Sequence, residues 1–221
     1  PHPACGGEAD SIEFAPAGHR SGAHGAGRHG AGRGVVTGAV AQNLRAYGLI
    51  LDDDRSNSLS PCALAADAAR GRLYVARHTD ASVGVIDTAQ SRMTQAFPVP
   101  SAPSGLALSP DGTRLYVAAG GAGGHVYVLD AAEGGVLQAH SAGHTPLSPV
   151  VSPDGQTLYV CSRFDDAVLA LRTADGELLA RIPVGRQPHA AALTPDGRRL
   201  FVAELLPVGP STNSAIAGAV S

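Results

Sequence analysis

Tryptophan is absent from the 221 residues, methionine occurs once and tyrosine five times, against 28 Gly and 16 Pro. Turn formers are thus abundant, and many short elements are expected rather than a few long helices. Lysine is absent too. All 16 basic residues are Arg, which together with the Ala and Gly excess reads as GC-rich coding rather than charge design. The net charge of -3 and pI near 6.3 supply no basic stripe to neutralise phosphates, which argues against a nucleic-acid partner. No run of about 18 apolar residues exists, so no helix is expected to span a membrane. The three cysteines, Cys5, Cys62 and Cys161, are odd in number and far apart. They match neither a disulfide framework nor a zinc site, and they leave the redox compartment open.

The first residue is Pro, with no basic-then-apolar signal segment around it. Ala219-Val220-Ser221 stop inside an apolar pattern. A piece of a longer chain is therefore expected. Residues 1–34 carry nine Gly and four His and almost nothing to bury, so a disordered tail is expected. His19, His24 and His29 can hold a metal loosely, but a tail with incidental His is the simpler reading. Residues 35–60 are expected to be a lead-in, apolar from Val35 to Leu51, of which Ala46 to Leu51 can supply an outer strand to a closing blade.

From residue 61 the chain repeats. Leu73-Tyr74-Val75-Ala76 returns as Leu115-Tyr116-Val117-Ala118, Leu158-Tyr159-Val160-Cys161 and Leu200-Phe201-Val202-Ala203, at spacings of 42, 43 and 42. Pro61, Pro103, Pro146 and Pro188 each precede the leading Leu by twelve residues. Ser109-Pro110-Asp111-Gly112 recurs as Ser152-Pro153-Asp154-Gly155 and Thr194-Pro195-Asp196-Gly197, with Asp67 to Gly71 in its place in the first copy. Pro presets the turn's φ and Gly takes its positive-φ position, so each such turn joins two β-rich runs. Val83, Val126 and Val168 open a third run, and Val136 to His140 is a fourth. Four antiparallel strands in about 42 residues make a β-propeller blade. The fold expected is all-β: blades at about 61–100, 101–143 and 144–185, and an incomplete one over 186–221, an arc of about 3.5. The missing Trp excludes a Trp-Asp repeat, and kelch units run nearer about 50 residues.

The pattern Pro-x-x-x-x-Leu-Ser/Thr-Pro-Asp-Gly-x-x-Leu-Tyr-Val-Ala, followed by Val83 to Asp87, resembles YVTN-type β-propeller repeats. These occur in YncE-like proteins, in surface-layer proteins and in the haem d1 domain of nitrite reductase. Leu158 to Val168, Ile182 to Gly185 and Leu200 to Pro207 are similar to exported bacterial propellers followed by a c-type cytochrome domain. Such relatives usually have Asn where Ser162 and Glu204 stand. The resemblance implies a periplasmic or cell-surface location. It also implies haem c in a missing downstream domain, because no Cys-x-x-Cys-His occurs here and this chain itself holds no cofactor.

The loops before the first strand and between the second and third surround a propeller's channel mouth, where a small molecule or protein partner binds. There the candidates are His78, His144, Arg163, Asp165, Glu204 and His189. His189 follows Pro188 where the other repeats have Cys62, Ser104 and Leu147, so it breaks the pattern. A solvated loop His is its simpler reading. Arg163, Asp165 and Asp166 suit an anion or a cation, or a hydrated loop with weak pairs. Asp52 to Asn57 lacks the Gly and Glu of a calcium loop. Gly120 to Gly124 lacks the Lys-Ser/Thr of a phosphate cradle. Three functions follow: a non-catalytic binding or scaffold module, the propeller part of a cytochrome-linked redox protein, or a lactonase-type hydrolase using His189, Arg163 and Glu204.

Overall fold

Three of the four repeats share one turn between their first two strands, and its chemistry is visible in the computed structural model, which describes residues 60–206. Asp111 accepts the Ser109 hydroxyl at 2.5 Å and the Thr113 N–H at 3.0 Å. Asp154 does the same with Ser152 and Gln156, and Asp196 with Thr194 and Arg198. Gly112, Gly155 and Gly197 close these turns at φ 68°, 73° and 71°, a region Gly enters without a Cβ penalty. In the first repeat Asp67 takes over, accepting the Arg70 N–H at 3.1 Å and its guanidinium at 3.0 Å.

The described residues form fourteen strands. The first blade is β1 (Pro61–Asp67), β2 (Arg72–Arg77), β3 (Ser82–Asp87) and β4 (Arg92–Pro98). The second is β5 (Pro103–Leu108), β6 (Arg114–Ala119), β7 (His125–Asp130) and β8 (Val136–Ser141). The third is β9 (Pro146–Val151), β10 (Thr157–Ser162), β11 (Ala167–Arg172) and β12 (Leu178–Pro183). Two strands, β13 (Arg186–Leu193) and β14 (Leu200–Leu206), open the fourth. Every blade is an antiparallel meander in sequence order. The all-β arc of about 3.5 β-propeller blades is thus what the chain builds. The readings on residues 1–34, on Ala46 to Leu51 and on the last strands of blade 4 fall outside the described residues.

Strand periodicity sends alternate side chains to opposite faces, and blades 2 and 3 are apolar on both faces, each meeting a neighbouring blade. Tyr74, Ala76, Val83 and Val85 of blade 1 pack on Leu115, Val117, Ala119 and Leu129 of blade 2. The other face of blade 2 (Tyr116, Ala118, Val126, Val128) packs on Leu158, Val160, Leu169 and Leu171 of blade 3. Cys161, Val168 and Tyr159 then meet Leu200, Val202 and Ala191 of blade 4. The Tyr of one blade also ties polar groups of the next: Tyr74 donates to the Ala131 carbonyl at 2.8 Å, and the Tyr116 hydroxyl meets Thr173.

Candidate functional site

Three of the four innermost strands carry a β-bulge one residue past the Pro that recurs in each repeat, between Pro61 and Ala63, Pro103 and Gly105, and Pro188 and Ala190. A bulge re-aims a side chain. Here it aims Cys62 at the Pro103 carbonyl (3.1 Å) and Ser104 at the Pro146 carbonyl (2.6 Å), each in the following blade. In blade 3 Ser148 performs the task, accepting the Ala191 N–H at 3.0 Å. His189 is the bulged residue of blade 4 and is exposed. The place that His189 occupies is thus a stitching position in blades 1 and 2, and in blade 3 the residue after it takes over that task. His78 joins the same system, its Nδ1 2.9 Å from the Pro103 carbonyl.

On the loop face, Arg77, Ala119, Ser162 and Glu204 are equivalent last residues of the second strand or its continuation. Ser162, fully buried, accepts the His144 N–H at 2.9 Å and donates to Asp165 at 2.5 Å. Asp165 accepts the same His144 N–H at 2.9 Å. These bonds, the Ser162 hydroxyl first, hold the Asp165 carboxyl below its ordinary range, with the Arg181 charge adding to them. Glu204 accepts the Gly185 N–H at 2.6 Å. Each acid thus fastens the loop entering its blade to the end of that blade's second strand. Arg77 turns instead to Ser82 (2.5 Å) and Asp80 (2.6 Å).

Arg163–Asp165 forms a single 3-10 turn closed by Asp166 in the left-handed region, where the sequence suggested only a loop. The Ser162–Asp165 hydrogen bond, spanning three residues, favours this local winding. It presents Phe164 to solvent at 52% exposure. The Arg163 guanidinium lies 5.0 Å from the Phe164 ring centre and is bonded to Gln187 Oε1 at 3.1 Å. His144 meets the ring edge-on, also at 5.0 Å. So the structure brings His144, Arg163 and Asp165 together around Phe164, a residue the sequence reading passed over. Glu204 belongs to the neighbouring blade, and His78 and His189 lie on other blade junctions. An exposed Phe beside an Arg and a His was the signal available.

Two crevices lie on the opposite, Pro-Asp-Gly face. One of about 310 Å³ is lined by Asp111, Arg114, Asp154 and Thr173 between blades 2 and 3. One of about 610 Å³ lies between the Asp67–Arg70 turn and Asp111. Their carboxylates already serve turn hydroxyl and N–H groups, and at Asp111 the Ser109 hydroxyl first, then the Thr113 N–H and hydroxyl, lower the carboxyl to about 2. Among the described residues no group of three or more His, Cys, Asp or Glu is placed to hold a metal, and no helix is long and apolar enough to cross a membrane.

No protein-family model matches the chain, and no curated protein matches its sequence. Among solved structures it is similar to the hydrazine synthase of Kuenenia stuttgartiensis, with a TM-score of 0.62 and 23% identity. The match covers 69% of this chain and 44% of that one, so the chain spans less than half the length of the protein it matches. At that identity the likeness is one of fold: the chain is a β-propeller module.

Proposed function

We propose that these blades form a non-catalytic recognition module that binds a small molecule or protein on its loop face, with Phe164 as anchor. The arrangement of Phe164 carries this reading: a large exposed aromatic held between the Arg163 guanidinium and the His144 ring. Aromatic and Arg side chains dominate binding energetics because they bury much area at little entropic cost. The Gln187 bond fixes the Arg163 fork in advance, which lowers the ordering cost of binding. Arg163 suits a carboxylate-bearing ligand, so short acidic peptides are the first probe. In NMR titration they should shift the Phe164 ring and the Arg163 side chain, and Phe164→Ala should weaken binding at least tenfold. Shifts that ignore both residues refute the site.

The resemblance of Leu158 to Val168 to exported YncE-like propellers supports a periplasmic or cell-surface location and a second reading, the propeller portion of a cytochrome c-linked redox protein. Haem c would then sit in a downstream domain. A Cys-x-x-Cys-His motif further along the reading frame supports that reading, and a complete frame without one removes it. A lactonase-type reaction would ask Glu204 to leave Gly185 and join His189 and Arg163. Its bond to a backbone amide favours the binding reading.

A further inference from the structure

Phe97, His140 and Ile182 occupy the same place in three successive outer strands, 43 and 42 residues apart. In blade 1 the Phe97 ring fills the space over Gly134, in the turn between the last two strands of blade 2. The His140 ring does the same over Gly176 of blade 3. An apolar slot has thus been given an imidazole, and that ring is only 7% exposed. Its Nε2 has no hydrogen-bond partner, and neither does Oε1 of Gln138, two residues away on the same strand face. Gln138 donates its amide to the Ala174 carbonyl at 3.0 Å, so both orphaned atoms belong to one contact between β8 and the Thr173–Glu177 turn. Buried polar atoms are normally paired, and an unpaired one calls for an explanation.

We propose that His140 is a proton-operated latch between blades 2 and 3: neutral, it plugs the slot as Phe97 does, and protonated it opens the outer end of that junction. An imidazolium buried without an acceptor is strongly disfavoured. Burial holds the ring's pKa below the ordinary 6.5, and Asp175 opposes this. Asp175 and Glu177 share the single Arg172 guanidinium, Asp175 at 3.0 Å, and both acids are more than half exposed, so the one net negative charge left on the turn is screened by water. Because the folded state binds the proton less readily than the unfolded chain, stability is complete above about pH 6.5 and falls as the pH drops below it. Each unit by which the ring's pKa is depressed makes opening about tenfold more favourable on the acid side.

The wild-type chain is followed by NMR from pH 8 to 4.5, reading the His140 ring and amide exchange corrected for intrinsic pH dependence. The ring should titrate below 6.5. In step with it, exchange at Gln138–His140 and Ala174–Gly176 should accelerate by about tenfold for each unit by which the ring is found to titrate below 6.5, while the Phe97–Gly134 junction stays unchanged. His140→Phe and His140→Ile, which restore the neighbouring repeats' residues, should abolish the acid-side loss. A ring titrating at or above 6.5, uniform exchange across both junctions, or an unaltered acid loss in either variant overturns the latch. The wild-type titration decides the matter even if a variant fails to fold.

Discussion

Asp111 shows how much of the polar chemistry here is spent on the backbone. Its carboxyl is lowered to about 2, chiefly by the Ser109 hydroxyl and then by the Thr113 N–H and hydroxyl. A folded-state value depressed from the ordinary 3.8 contributes stability that is present above about pH 4 and lost as the pH falls toward 2. Asp111→Asn should therefore flatten the acid limb of a urea-midpoint profile between pH 5 and 2.5, and an unchanged limb would refute the assignment. Ser162 makes the same point on the loop face. Removing its fully buried hydroxyl, which serves both His144 and Asp165, should cost about 1–2 kcal/mol in Ser162→Ala by urea denaturation. The sequence marked Asp165 and Glu204 as ligand candidates because both are acids on a loop. That they hold loop amides about twenty residues away was not legible, since such bonds depend on how the strand end curls toward the loop. The equivalence of positions 77, 119, 162 and 204 was the available clue.

The elements were far more legible than the bonds, and for a physical reason. A blade is a local meander whose turns are specified by Ser-Pro-Asp-Gly and whose strands are specified by Leu-Tyr-Val-Ala, so short-range chemistry fixes each hairpin. Bulges and contacts between blades were not legible, because they arise when two finished sheets meet. Gly134 is such a case. It sits at φ 76° beneath the Phe97 ring, so Gly134→Ala adds both backbone strain and an overlap with the aromatic. A loss of about 2–4 kcal/mol is expected, whereas Gly121→Ala, where φ is not positive and a Cβ meets nothing, should leave stability unchanged or raise it by up to about 1 kcal/mol. Equal losses in chemical denaturation would show that the Phe97 slot is not rigid. Ser104→Ala tests the innermost stitch. It should lower stability by about 1 kcal/mol and speed amide exchange on β5 and β9 before the outer strands respond.

Stacked repeats draw their stability from their neighbours, so a blade covered on both faces should outlast one covered on a single face. The equivalent aromatic positions trace that gradient. Tyr74 and Tyr116 are 0% and 2% exposed under the following blade, whereas Phe201 is 49% exposed. Phe201 lacks the hydroxyl that Tyr74 and Tyr116 direct at polar groups of the next blade. Leu205, on the same strand, is 50% exposed. Cutting Tyr116 to Ala removes a side chain wedged between two sheets and should cost about 3–5 kcal/mol, the range for a large aromatic lost from a core. Phe201→Ala, by contrast, should change stability by less than about 1 kcal/mol, because half of that ring already touches water. Native-state hydrogen exchange reads the same gradient without mutation: amides of β6 and β7 should be the slowest, and those of β13 and β14 the fastest among the strands. If β14 exchanges as slowly as β6, blade 4 does not rest on a single covered face, and stability is not passed from blade to blade along the arc.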